Sequence, residues 1–234
     1  MKVHLLEKGI EGFIAEQLAS GDEAWYFPHS LVGHFHETWY SLAQMSLADR
    51  YTKCLTSSIS QRWWKRDQYR PKEIMLQLIE ADPELAAIAW KDLQQPNASL
   101  DGRLSRFNYY CEQLLALHRG RHPKSIETFH HQDGAMMSLY LAGLFPEQYA
   151  LYPGLDVFRM FCQQVGSPDI PKVDDLVRFM KVAGIIFTFL RRNAQFESLL
   201  EQRRQPIHKI TCIPFQVTYE IISYLGKTNA KLES

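Results

Sequence analysis

Apolar positions recur along this chain at intervals of three and four, the spacing that lines side chains up on one face of an α-helix. Ile10, Phe13, Ile14 and Leu18 form the first such stripe. Trp39, Leu42, Ala43 and Leu47 form the next, after a segment rich in His, Gly and Pro that reads as a loop. Ile74, Met75, Leu78 and Ile79 form a third. Asp82-Pro83-Glu84 then supplies a cap, a first-turn proline and an acid where the helix dipole favours one, which predicts a helix from Pro83 to about Leu93. Leu104, Phe107, Cys111, Leu114, Leu115 and His118 trace a long face that stops at Gly120, and Met137, Tyr140, Leu141 and Leu144 trace another.

Val157, Phe158, Phe161 and Val165 follow Asp156 and end at Gly166. Leu176, Phe179, Met180, Ala183, Ile186, Phe187 and Leu190 mark a helix whose second half is apolar nearly all round, which predicts the central helix of the fold. Pro206 stops the charged segment after it, and Val217, Ile221, Ile222 and Leu225 predict a last helix behind Pro214, closed by Gly226. Strand-like alternation is nowhere sustained. The expected fold is all-α, an irregular multi-helix bundle. The turn-forming run Gln95-Pro96-Asn97-Ala98-Ser99 is either an ordinary loop or the boundary between two helical subdomains, residues 1–96 and 99–234.

Composition narrows the class. A chain of 234 residues with 46% apolar and 22% charged residues is globular, not disordered or fibrous, and long enough to bury a sizeable core. Its formal net charge is zero, so any binding to nucleic acid or an anionic membrane has to come from a local patch. Cys54, Cys111, Cys162 and Cys212 are too dispersed for a small disulfide scaffold or a paired Cys-x-x-Cys metal site and read as reduced thiols in a cytoplasmic protein. The amino terminus lacks the apolar stretch of a signal peptide. The longest apolar run, 182–190, is far short of the roughly 20 residues of a membrane span, so no membrane partner is expected.

The densest chemistry lies in 62–72, where Arg62, Lys65, Arg66, Arg70 and Lys72 surround Trp63, Trp64 and Tyr69, with Asp67 the single acid. Cations neutralise phosphates and flat rings stack on unpaired bases at roughly 1 to 3 kcal/mol each, so these eight residues are a candidate nucleic-acid surface. The competing reading packs Trp63 and Trp64 in the core and leaves the cations as a solvated rim. Arg119 and Arg121 with Lys124, Arg191-Arg192 and Arg203-Arg204 could extend a basic stripe.

Other motifs fall short of chemistry. His29 with His34-Phe-His36, His118 with His122, and His130-His131 are the metal-like groupings, and none has a spacing such as His-Glu-x-x-His. His130-His131 shapes the approach to a helix capped by Asp133. Gly226-Lys227-Thr228 imitates the end of a phosphate loop, but Ile221 stands where that loop requires glycine. Asp174-Asp175 sits in a first helical turn, where the dipole accounts for it, and there is no Gly-x-Ser-x-Gly elbow. No catalytic residue and no cofactor are expected.

The run Asp101-Gly-Arg-Leu-Ser-Arg-Phe-Asn-Tyr-Tyr-Cys-Glu-Gln-Leu-Leu, with Ser138-Leu-Tyr-Leu, Phe145-Pro-Glu-Gln-Tyr-Ala-Leu-Tyr152 and Arg178-Phe-Met-Lys, resembles the helical amino-terminal region of bacterial McrB-like AAA-type NTPases, the modified-cytosine-specific restriction subunits. The similarity spans roughly residues 70–193, and its motifs are packing residues. It implies a non-catalytic recognition or adaptor module for DNA, joined to an NTPase motor in the same chain or another and acting indirectly with a nuclease. The phosphate loop, Walker B carboxylates and arginine finger of the motor have no counterpart here, so NTPase activity does not carry over. The alternative is a protein-interaction scaffold that docks a motor or nuclease without touching nucleic acid.

Overall fold

The computed structural model describes residues 1–20, 26–65, 70–123, 134–203 and 211–227. Every regular element among them is helical: α1 (Val3–Ser20), α2 (Tyr26–Ser41), α3 (Leu47–Cys54), α4 (Ser58–Trp64), α5 (Pro71–Ala81), α6 (Pro83–Leu93), α7 (Leu100–Arg121), α8 (Ala135–Leu144), α9 (Leu155–Gln164), α10 (Leu176–Leu190), α11 (Phe196–Arg203) and α12 (Val217–Lys227), with a 3-10 turn at Pro214–Gln216. The all-α fold read from the periodicity is what the chain adopts. None of these helices is long and apolar enough to cross a membrane.

Local signals set several boundaries as expected. Asp82 accepts the Leu85 amide at 2.9 Å and starts α6 ahead of Pro83. Asp174 and Asp175, expected in the first turn of α10, instead precede it: Asp175 is its cap, accepting the Arg178 amide at 2.8 Å. Gly166, at φ 58°, ends α9, with Ser167 N–H returning to the Cys162 carbonyl at 2.8 Å. The supposed His, Gly and Pro loop is instead part of α2. Pro28 lies in its first turn, where an amide has no intrahelical acceptor to lose, so it does not break the helix. The stripe from Trp39 to Leu47 therefore straddles two helices, and Ser46 caps the second.

The chain forms two compact units, one of residues 1–33 and 133–234, the other of residues 34–132. The break at 95–99 is a turn inside the second unit, so the units do not coincide with the expected subdomains 1–96 and 99–234. Helices α6 and α7 pack together across that turn, joined by the Arg106–Asp92 ion pair at 2.5 Å and by Arg103 Nη1 donating to the Leu93 carbonyl at 3.2 Å. At its centre Trp90 stacks on Trp39 with centroids 4.7 Å apart and receives the edges of Tyr51 and Phe107 at 5.7 and 5.6 Å.

In the first unit the helix buried all round is α8, where every residue from Met136 to Leu144 is enclosed. This displaces α10 from the central role expected of it. The difference lies in the polar punctuation: Lys181 and Thr188 mark an exposed face of α10 on which Ile185 is 42% exposed, whereas α8 carries no charge and only the hydroxyls of Ser138 and Tyr140. The Ser138 hydroxyl is satisfied twice, donating to the Ala135 carbonyl at 2.8 Å and accepting the Tyr152 amide at 2.9 Å. Gln216, fully buried, pins the neighbouring loop by accepting the Leu151 amide at 3.1 Å and donating to the Tyr149 carbonyl at 2.8 Å. Gly226 does not close α12. It lies within it, where an added Cβ would stand 2.3 Å from the Val157 carbonyl oxygen of α9.

A buried polar network ties four helices of this unit together. Glu220 accepts from Arg203 through Nη1 at 2.9 Å and Nη2 at 2.8 Å, and from His29 Nε2 at 2.8 Å. The Ile213 amide donates to His29 Nδ1 at 2.8 Å, which fixes the neutral tautomer with its proton on Nε2. Arg203 Nη2 also donates to Gln17 at 2.9 Å. Burial pushes the Glu220 carboxyl up, but the His29 hydrogen bond and the Arg203 charge outweigh it and hold the group below its ordinary value.

Two predictions follow from these contacts. Gly226→Ala should destabilise by about 1 to 3 kcal/mol, because the clash is with backbone, while Gly12→Ala, with nothing within 4 Å, should stabilise by about 0.5 to 1 kcal/mol; urea unfolding of both variants measures the contrast. Because the folded Glu220 carboxyl lies below its unfolded value of about 4.3, its contribution is complete above that value and is lost as pH falls through the folded one. Glu220→Gln should cost about 3 to 5 kcal/mol near neutral pH by leaving Arg203 unbalanced, and should flatten the acid limb of stability, read from urea midpoints across a pH series.

Candidate nucleic-acid interface

Helix α4 is short and locally specified: the Ser57 hydroxyl accepts the Ser60 amide at 3.1 Å and opens it. Ser60 and Trp64, four residues apart, form its buried face. Consecutive residues on a helix point about 100° apart, so on the narrow buried face set by Ser60 and Trp64 the neighbouring Trp63 falls to the side. Trp64 is the buried one, 6% exposed, and presents no ring face to a base. That corrects its expected stacking role. Trp63 is half-buried.

The cations separate in the same way. Arg62 in the last turn of α4, Lys65 at its C-cap and Arg70 at the position before α5 are exposed. Arg70 makes no side-chain cap bond to α5, and neither Lys65 nor Arg70 joins an ion pair among the described residues. Lys72 is half-buried, with Nζ donating to Thr56 Oγ1 at 3.0 Å; burial lowers its pKa and Glu73 opposes the shift. It serves first as a tie between α5 and the turn after α3. Arg66 and Tyr69 lie outside the described residues.

Of the cations proposed to extend the patch, Arg203 is withdrawn by its pairing with Glu220, and Arg121 donates to the Ala81 carbonyl at 2.6 Å. Arg119, Arg191 and Arg192 are exposed. Lys124 and Arg204 lie outside the described residues.

Sequence reasoning separated the tryptophans from the cations only as alternatives, and the structure divides them residue by residue. It also missed Arg50. This α3 guanidinium lies 4.1 Å over the Trp39 ring, a contact between residues of two different helices that no local spacing announces.

The remaining candidates have structural explanations. His29 belongs to the Glu220 network, His36 lies against Tyr40 at 4.8 Å, and His118 and His122 face each other at 4.8 Å. No group of three or more His, Cys, Asp or Glu among the described residues could hold a metal ion. His130, His131 and Asp133 lie outside the described residues, and the N-cap of α8 is Gly134, in the left-handed region. Asp175 caps α10, and Asp174 accepts the Tyr152 hydroxyl at 2.8 Å. All four cysteines are free and buried, and burial pushes the Cys54 thiol up to about 12, far from a reactive thiolate. A surface hollow of about 350 Å³ precedes α10, but its Arg178 is bound by Asp169 and its Asp175 by the cap.

Against known proteins, no family model matches this chain, and no curated protein or solved structure matches it.

Proposed function

We propose that this chain is a non-catalytic DNA-contacting adaptor module, working beside an AAA-type NTPase motor and, through it, a nuclease, as in the McrB-like restriction systems its sequence resembles. The observation that carries the reading is the exposure of Arg62, Lys65 and Arg70 where α4 ends and α5 begins, around the partly open ring of Trp63. Cations held at the surface by short, capped helices contact phosphates without first breaking internal structure. With Trp64 in the core, binding here is mainly electrostatic, and base stacking falls to Trp63 among the described rings. The alternative, a docking scaffold for a protein partner, draws on Ile88, Tyr109 and Leu117, exposed at 52%, 57% and 41% on α6 and α7.

Three phosphate contacts give a log–log salt slope of about −2.7 on duplex DNA. Reversing all three charges, Arg62→Glu with Lys65→Glu and Arg70→Glu, should flatten the slope by about that amount and weaken binding to every sequence alike, as read by fluorescence anisotropy across a salt series. If the intact chain shifts neither duplex nor single-stranded DNA at low salt, the reading fails. Binding of a purified motor subunit that ignores the charge reversals would then favour the scaffold.

A further inference from the structure

The Arg50 guanidinium lies over an indole, with its carbon 4.1 Å from the Trp39 ring centroid. Its Nε is enclosed and has no hydrogen-bond partner, and no carboxylate pairs with it among the described residues. Its neighbour Asp49 is turned the other way, accepting the Ser46 hydroxyl at 2.6 Å while Ser46 accepts the Asp49 amide at 3.1 Å. Half-buried arginines ordinarily satisfy their donors, and one that does not calls for an explanation. With Nε enclosed, the donors within reach of an anion are the two Nη groups, which the cation–π contact with the indole holds in place and which together can pair with two oxygens of one oxyanion.

The surroundings favour a doubly charged oxyanion. Lys53, three residues along α3 and so on the adjoining surface, is exposed, and so is Tyr40, whose phenol senses the Arg50 charge. Residues 50–72 hold seven cations, Arg50, Lys53, Arg62, Lys65, Arg66, Arg70 and Lys72, against the single acid Asp67, within a chain of zero net charge. Lys72 ties the first turn of α5 to Thr56, just past the end of α3 that carries Lys53, so these two cations of the run lie on neighbouring segments.

We infer that Arg50, held over Trp39 and bordered by Lys53, is a phosphate-binding site that anchors the polyanion. The inference rests on the DNA reading for the identity of the polyanion, while the site itself is defined by the phosphate group. Arg62, Lys65 and Arg70 supply diffuse attraction; Arg50 supplies a fixed fork.

Inorganic phosphate, titrated into the intact chain while the Arg50 Nε–H and Trp39 indole signals are followed by NMR, should shift both saturably. Acetate at matched ionic strength should shift them little. Arg50→Lys keeps the charge and loses the fork, so it should weaken both phosphate and duplex binding about tenfold while leaving the salt slope nearly unchanged, unlike the charge reversals at Arg62, Lys65 and Arg70. An absent phosphate response, or an equal response to acetate, overturns the site. Duplex binding that survives Arg50→Lys unweakened overturns its anchoring role and leaves the DNA reading standing. A specific phosphate response in a chain that binds no DNA supports the site and removes the polyanion. The wild-type titration decides the site even if Arg50→Lys does not fold.

Discussion

The Glu220 carboxylate sits almost entirely out of water, and removing such a charge from solvent costs several kcal/mol unless donors replace the lost hydration. Here the donors are Arg203, 17 residues away, and His29, 191 residues away. The His29 ring is held in turn by the Ile213 amide, and Arg203 by Gln17. None of these groups is satisfied unless the first 33 residues and the carboxyl-terminal helices fold as one body. That requirement explains why the first unit is discontinuous in sequence, with residues 34–132 set between its two parts as a unit with a core of its own.

The second core depends on rings instead of charges. Trp90 is met by Trp39, Tyr51 and Phe107 from three different helices, so fixing its position fixes the placement of α2, α3 and α7 around α6. Those contacts are non-directional in sequence but specific in angle, one stacked and two edge-on. Burying Trp64 within this unit then determines which side of α4 faces water. The exposure of Arg62 and Lys65 is thus a consequence of core packing, and both cations are held in place by residues that carry no charge.

What could be read from the sequence was what neighbouring residues decide. The Asp82 cap, the glycine stop after α9 and the long face of α7 each involve residues within a few positions of one another, and each is present in the fold. What could not be read depends on partners far along the chain. Pro28 and Gly33 look like loop residues until the start of α2 at Tyr26 is known: Pro28 then falls in the first turn, where it breaks nothing, and Gly33 costs only about 1 kcal/mol. Gly226 looks like a helix stop or a phosphate-loop relic, yet its lack of a side chain is explained by the Val157 carbonyl, 69 positions earlier in the sequence. The centrality of α8 over α10 escaped periodicity because the face of Met137, Tyr140, Leu141 and Leu144 marks a helix but does not show that its other side, with only Ser138 polar, is buried as well. In the candidate interface, the run of cations was visible as a run, whereas the opposite fates of Trp63 and Trp64 needed the helix phase, which Ser57 and the core set together.

The charge distribution connects these points to function. A formal charge of zero means that the excess of cations in residues 50–72 is balanced by acids elsewhere, so the chain has segregated its charges instead of lacking them. Segregation places an excess of cations in one stretch while sparing the molecule the self-repulsion of a high overall charge. On the proposed DNA reading, phosphate contacts there would give affinity and orientation without reporting sequence, since base identity is displayed in the grooves and on unpaired rings. With Trp64 in the core and Trp63 half-buried, that reading assigns the stretch to holding a backbone in place, and leaves any selectivity for a modified base to residues beyond Arg62, Lys65 and Arg70 or to a partner.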